Sequence, residues 1–425
     1  MQRCTAIVLC SLISILALVC IESKGESSQE RAHINREEIR RSLEASRTIA
    51  SARFAGRELI QALLDVRTRG VDVGDVILEN CVIEGDVELW QVGSHRSLTS
   101  AEAERCSLPA GIQVIEFPFR IHFRHSTLAE IEGSDEIGDC YVLYPHGIRL
   151  EGCVLFSASF DQCVFFDDVS FQSSEAEWVS FKSCNFSGWV DCSQMTVREA
   201  YFDQTAFLSF ADFWRATFED WGSFRETIFH EGAELGNAVF NGRADFVSAC
   251  FDREVSLEGL EFRRGANLDD VKFARQEDLL PALLASLKGW EQTGNKGKAD
   301  RYFYEYMVAR RKQKPMAVQA LELVLVDWTC AYGTSWERIL ATWWAIILVS
   351  TIIVWIGKGI EHSSEGRVVR SFWLSLYFSI VTFTTLGYGD YRPRRGYKVI
   401  ADATAMIGAF MIALLAVVFA RQFMR

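Results

Sequence analysis

The chain has 425 residues, a net charge of −12, and an aromatic-rich composition with 30 Phe and 12 Trp. That length accommodates two or three domains, and the acidity excludes the basic footprint of a nucleic-acid-binding surface. Among the 12 cysteines there is no C-x-x-C pair, and the sequence holds no GxSxG, no HExxH and no Gly-rich phosphate loop with a basic anchor, so nothing supports an enzyme or a cofactor.

Residues 1–25 form a signal-like hydrophobic segment: Arg3 precedes the apolar run Thr5 to Ile21, and Ser23-Lys24-Gly25 stands as a mediocre cleavage site. Residues 35–70 follow as a helical amino-terminal cap, with Ile39, Leu43, Leu59, Ile60, Leu63 and Leu64 on an apolar face.

A repeat then occupies residues 71–273. From Phe207 onward large apolar residues step by six and five in alternation: Phe207, Phe213, Phe218, Phe224, Phe229, Leu235, Phe240 and so on to Phe273. Two places before most of them stands a small residue, such as Thr205, Ala211, Ala216 or Thr227. A period of 11 belongs to neither a helix nor a simple strand and predicts stacked turns, each too small to bury its core alone. The same rhythm runs through Val73, Leu78, Ile83 and Leu89, and weakens in an irregular insertion over residues 90–146. Cys81, Cys153, Cys163 and Cys184 fall at the small positions, and Cys106 and Cys140 read as free thiols. His122, His125, His146 and Cys140 are too loosely spaced to read as a metal site.

The stretches "GNAVFNGRADFVSACF" and "IRLEGCVLFSASFDQCVFF" closely resemble pentapeptide-repeat proteins, with one residue added at every second repeat in the carboxyl half. That resemblance implies a right-handed quadrilateral β-helix with flanking helices. Some members imitate DNA with an acidic rod, and residues 150–273 here carry 22 acidic against 9 basic residues. A solvated face accounts for that balance as well.

Residues 274–336 read as a helical cap and linker, with helices over Glu277 to Trp290 and Lys298 to Lys312. Leu321, Leu323, Val326 and Trp328 suit either a helix lying along a membrane surface or more of the domain cap.

Residues 337–425 carry the distinctive pattern. Ile339 to Gly357 is an uncharged run of 19 residues, and Val399 to Ala420 is a second run of 22 with Asp402 charged near its start. Both are long enough to cross a bilayer. Between them, the 14 apolar residues Ser371 to Thr384 are too few to cross and fit a re-entrant helix. They lead into Thr385-Leu386-Gly387-Tyr388-Gly389, then Asp390.

This arrangement closely resembles the two-helix pore module of potassium channels, over about the last 90 residues. The resemblance implies rings of backbone carbonyls from Thr385, Leu386, Gly387 and Tyr388, closed by four copies in a homotetramer within the lipid bilayer. Potassium would pass as the permeant ion, and no other metal is implied. It further implies filter support from Thr384, Asp390, Tyr377 and Phe378, and a gating hinge at Gly408. Leu386 stands where Val is commoner, and Val381 where some members carry Glu. Two readings follow: a potassium-channel subunit whose repeat domain serves regulation or docking to an unknown protein partner, or a non-conducting, membrane-anchored scaffold or DNA mimic.

Orientation signals conflict. The family places GYGD outside, which leaves the repeat domain cytoplasmic, the placement adopted here. Against it stand the signal-like start and seven basic residues between the spans: Lys358, Arg367, Arg370, Arg392, Arg394, Arg395 and Lys398.

Overall fold

The computed structural model describes residues 31–71, 74–134, 140–364 and 366–423. The signal-like segment 1–25 and the anchor Val73 lie outside the described residues. The chain divides into two compact units, Met1–Ala299 and Asp300–Arg425.

In the first unit the apolar anchors set the architecture. Successive coils lay short strands on one another in three sheets, of 12, nine and nine strands among the described residues. Pairing between coils is parallel, as in Phe165 with Phe186, Phe186 with Phe207 and Phe207 with Phe229. A stack of identical anchors results: Phe165, Phe186, Phe207, Phe229, Phe251 and Phe273 lie face to face, with centroids 4.7 to 5.2 Å apart and planes within 10°. A second column, Phe160, Phe181, Phe202, Phe224 and Phe246, stacks at 4.9 to 5.5 Å. The two columns meet edge-on, with Phe165 and Phe181 at 6.2 Å and 70°, the arrangement that ring quadrupoles favour.

Coil length changes once along this stack. Phe186 faces Phe207, 21 residues on, whereas Phe207 faces Phe229, 22 on. The extra residue enters as a bulge: Val197 is opposite Phe218, but Glu199 is opposite Trp221. Beyond it every coil keeps the longer corner, which produces the alternating six and five.

The corners have a backbone signature of their own. Ser173, Ser183, Gln194, Gln204, Arg215, Glu226, Asn237 and Ser248 all take φ between 54° and 58°. The residue that follows is usually small, and where it carries a donor it reaches into the preceding coil. Ser174 Oγ donates to the Leu150 carbonyl at 2.6 Å, Thr227 Oγ1 to Phe202 at 2.7 Å, and Cys184 Sγ to Phe160 at 2.7 Å. Cys81, Cys153, Cys163 and Cys184 are free and buried, and burial pushes the Cys153 thiol up to about 12. Cys106 is likewise free and buried, and Cys140 is free and half-buried.

Open ends of such a stack need covering. At the front, helices Arg36–Ser46 and Gly56–Thr68 bury Ile39, Leu43, Leu59, Ile60 and Leu63, while Leu64 is half-buried. Asn35 caps the first helix reciprocally with Glu38. Strands Ala32–His33, Thr48–Ala50 and Ala52–Ala55 lie around these helices and already belong to the sheets. Leu98, Ala103 and Cys106, around helix Ser100–Arg105, pack on Val114, Leu143 and Val164. Strands Arg120–Arg124 and Thr127–Glu132 then occupy ordinary coil positions. At the far end, helix Gln276–Gln292 closes the last coil, with Ser286 Oγ donating to the Ala266 carbonyl at 2.8 Å.

His122 sits buried in strand Arg120–Arg124 with both ring nitrogens lacking a hydrogen-bond partner. Burial lowers its pKa below the usual histidine value. Among the described residues no cluster of His, Cys, Asp and Glu is suited to a metal.

The second unit is helical. A continuous helical stretch covers Met316–Cys330, with a π-helical turn at Leu323–Asp327. Helices Trp336–Ile356, Phe372–Phe383 and Lys398–Phe423 follow. The first and last are long and apolar enough to cross a membrane.

Candidate functional site

The apolar helix Phe372–Phe383 is held between the two long helices by side-chain chemistry visible on all three. Ile339, Ile347, Phe383, Met411 and Val418 form one buried cluster, and Val354, Ile360, Phe378 and Ala401 another. Between these clusters three hydroxyls meet. Ser379 Oγ lies 3.4 Å from Ser350 Oγ, and Thr404 Oγ1 lies 3.2 Å from the same atom, all three residues buried. Each helix contributes one hydroxyl, so the polar groups satisfy one another in an apolar surround.

Close backbone approach sets the remaining contact. A methyl group on Gly408 would stand 1.9 Å from the carbonyl oxygen of Phe383. Gly408, expected as a hinge, is thus the point where the last long helix touches the end of the short one.

The short helix ends at Thr384, whose hydroxyl donates to Ile380 at 2.8 Å. The next two amides fold back on it, Thr385 N donating to the Thr382 carbonyl and Leu386 N to that of Val381, both at 3.1 Å. The chain then alternates in hand. Thr385, Gly387 and Gly389 have φ of 55°, 57° and 77°, and Leu386 and Tyr388 between them do not share it. Glycine adopts this region freely. A β-branched residue does not, and holding Thr385 there costs about 1–3 kcal/mol. Strained backbone of this kind persists where surrounding structure imposes it, and it marks functional segments. Alternation of hand turns successive carbonyls toward one side of the strand instead of opposite sides, the arrangement a ring of ion-coordinating oxygens requires.

Side chains around this segment divide by exposure. Leu386 is 60% and Tyr388 67% exposed in the single chain, and Thr385, Gly387 and Gly389 are exposed too. Phe378 is buried behind it. Tyr377 meets Tyr391, the residue after Asp390, edge-on at 6.1 Å. Asp390 Oδ1 accepts the amide of Tyr391, and its carbonyl accepts that of Ser363 at 2.9 Å. The expected filter and its support residues therefore lie together on one short stretch, with Gly408 at its base.

After the segment, strand Tyr391–Pro393 pairs antiparallel with Ile360–His362. Arg392 Nε meets Glu361 Oε1 at 2.7 Å, so one of the seven basic residues between the spans is locally paired. Tyr397 packs against Gly357 and Gly359, where a methyl would stand 1.8 and 2.7 Å from its side chain.

Comparison with known proteins falls on this same region. Residues 352–425 match a family model described as an ion channel. An 82-residue stretch is 35% identical to the A-type voltage-gated potassium channel KCND3 of Rattus norvegicus, and equally to those of Homo sapiens and Mus musculus. It covers 19% of this chain and 12% of each relative, so the chain spans a small part of the curated relatives it matches. No solved structure matches. The carboxyl-terminal unit thus joins a match to an ion-channel family model with two helices long and apolar enough to cross a membrane.

Sequence reasoning did not find the Ser350–Ser379–Thr404 cluster. Hydroxyls within otherwise apolar helices were the available signal, but their meeting depends on the mutual rotation of three helices.

Proposed function

We propose that this chain is one subunit of a potassium-selective channel in the cell membrane, four copies closing the pore around Thr385 to Gly389. The alternating hand of Thr385, Gly387 and Gly389 carries this reading, because alternation of this kind is what would let successive carbonyls face an axis shared by four copies. The exposure of Leu386 and Tyr388 supports it, since neighbouring copies would cover them. Helix Phe372–Phe383 directs the negative end of its dipole toward the start of this column, which favours a cation there.

The stacked domain is read as a right-handed, four-sided pentapeptide-repeat β-helix, cytoplasmic, serving regulation or docking of a protein partner. Its acidic outer face and the phenylalanine columns support that reading.

Potassium flux into vesicles holding the purified full chain tests the proposal. Flux is expected from the native chain, with rubidium accepted and sodium excluded, and Gly387→Ala is expected to abolish it without dissociating the assembly. Native protein that assembles but passes no potassium sinks the channel reading and leaves a membrane-anchored scaffold.

A further inference from the structure

Among the described residues of the first unit, Val71, Trp189, Phe210 and Ile228 are the large apolar side chains left exposed. The last three lie together. Val190 pairs with Ala211, so Trp189 and Phe210, each one residue earlier, stand on adjacent coils and are 44 and 39% exposed. Along one coil Ala206, Leu208 and Phe210 alternate with the buried Phe207 and the half-buried Ser209. Ile228 is opposite Ala206 on the next coil. The chain shows what covers this face in the preceding coils. There Leu143, Val164 and Phe166 are buried under Leu98, Ala103 and Cys106, around helix Ser100–Arg105. The helix ends with the Arg105 guanidinium 4.8 Å from the centre of the Phe166 ring, and the Arg105 carbonyl accepts the Ser187 hydroxyl at 3.3 Å. Beyond that point the row begun by Val164 continues through Asn185 and Ala206 to the exposed Ile228.

Carboxylates stand beside the two exposed rings. Asp191, Asp212 and Glu234 form a ladder across three coils, the first two lying two residues beyond Trp189 and Phe210. One oxygen of each accepts a turn amide, from Ser193, Trp214 and Gly236 at 2.9, 2.8 and 2.6 Å. None of the three is ion-paired among the described residues. Burial, and then the neighbouring Asp191 and Glu234, raise the Asp212 carboxyl above its ordinary value.

We infer that this face receives a basic, amphipathic segment of a partner protein, continuing the strip that the chain's own helix covers. Apolar side chains of that segment would lie on Ala206, Leu208 and Ile228. Its cations would meet the Trp189 and Phe210 rings, as Arg105 meets Phe166, and the carboxylate ladder beside them. The inference rests on the docking reading of the repeat domain and names the chemistry of the partner. A second copy of the chain fits less well, because a twofold contact would set this acidic ladder against its own duplicate.

Selection from a phage-displayed library of random peptides tests this, with the full chain held in phosphatidylcholine nanodiscs and empty discs used for counter-selection. Enriched peptides are expected to carry net positive charge and apolar residues at helical spacing. Trp189→Ser with Phe210→Ser should weaken their binding by about tenfold or more while leaving the melting temperature unchanged, since both side chains are exposed. Asp191→Asn with Asp212→Asn keeps the turn acceptors, and should weaken binding and flatten its salt dependence. Acidic or unpatterned peptides overturn the inference. Peptides indifferent to both pairs of substitutions overturn it and leave docking elsewhere on the domain, whereas no enrichment at all defeats the docking reading as well. Self-association in sedimentation that the serine pair abolishes overturns it in favour of a second copy. None of these measurements depends on potassium flux.

Discussion

Gly408 and Phe383 touch backbone to backbone, with room for a hydrogen but not a methyl: an added Cβ would lie 1.9 Å from the Phe383 oxygen. A bend at Gly408 and a close contact at Gly408 make different predictions. Gly408→Ala is expected to lower the melting temperature of the detergent-solubilised chain along with flux, since overpacking costs about 1–3 kcal/mol. Unchanged melting with altered flux would instead favour a hinge.

The phenylalanine columns predict a local penalty with a neighbour effect. Phe229 is fully buried between Phe207 and Phe251 at 4.9 and 4.7 Å. Phe229→Ala is expected to cost about 3–5 kcal/mol, read by chemical denaturation monitored through the strand signal. Phe229→Leu should recover much of the loss, because leucine serves as a buried anchor at Leu235, on another face of the same array.

Corner geometry predicts opposite signs at a single exposed position. Ser248 has φ of 58°. Ser248→Gly should leave the melting temperature unchanged or raise it, whereas Ser248→Val should lower it by an amount matching about 1–2 kcal/mol.

Acid sensitivity is expected at residues 94–116. The Arg96 guanidinium, 2.7 Å from Glu102, holds that carboxyl at about 2 instead of 4.5. A depressed carboxylate stabilises fully above the unfolded value and ceases to do so as pH falls through the folded one. The melting-temperature gap between parent and Glu102→Gln should therefore be complete above 4.5 and close as pH falls toward about 2. A gap independent of pH would show that Glu102 acts by packing alone.

Asp327 joins three elements through Arg311, Arg338 and Tyr304. Asp327→Asn leaves Arg311, itself little exposed, without its counter-charge, and is expected to destabilise by about 3–5 kcal/mol. Arg311→Met should cost less, because Arg338 still faces the carboxylate. Equal costs would contradict the buried pairing.

Legibility in the sequence followed the range of the forces involved. The phenylalanine schedule was readable because each anchor meets its own kind one coil away, so packing repeats as letters repeat. The left-handed corners were not readable. Ser, Gln, Arg, Glu and Asn occupy them interchangeably, since an exposed corner asks only for tolerance of φ and not for a particular side chain. The strands around the first two helices escaped notice because two- to four-residue strands leave no periodicity. Around the candidate filter, the glycines and threonines were plain. The Ser350, Ser379 and Thr404 contact was hidden, because it joins residues 29 and 54 positions apart through helix packing alone.

The one-residue lengthening at the Val197–Glu199 bulge has a consequence for how this stack tolerates change. A coil that gains or loses a single residue faces neighbours of unequal circumference above and below, and the mismatch is absorbed only where a bulge fits. Removal of 22 consecutive residues after Phe207 instead returns Phe251 to the place of Phe229 with every ladder partner restored. The carboxyl half of the array is therefore close to quantised in length: whole-coil duplications and excisions keep every ladder, and an indel of any other size needs a bulge to absorb it.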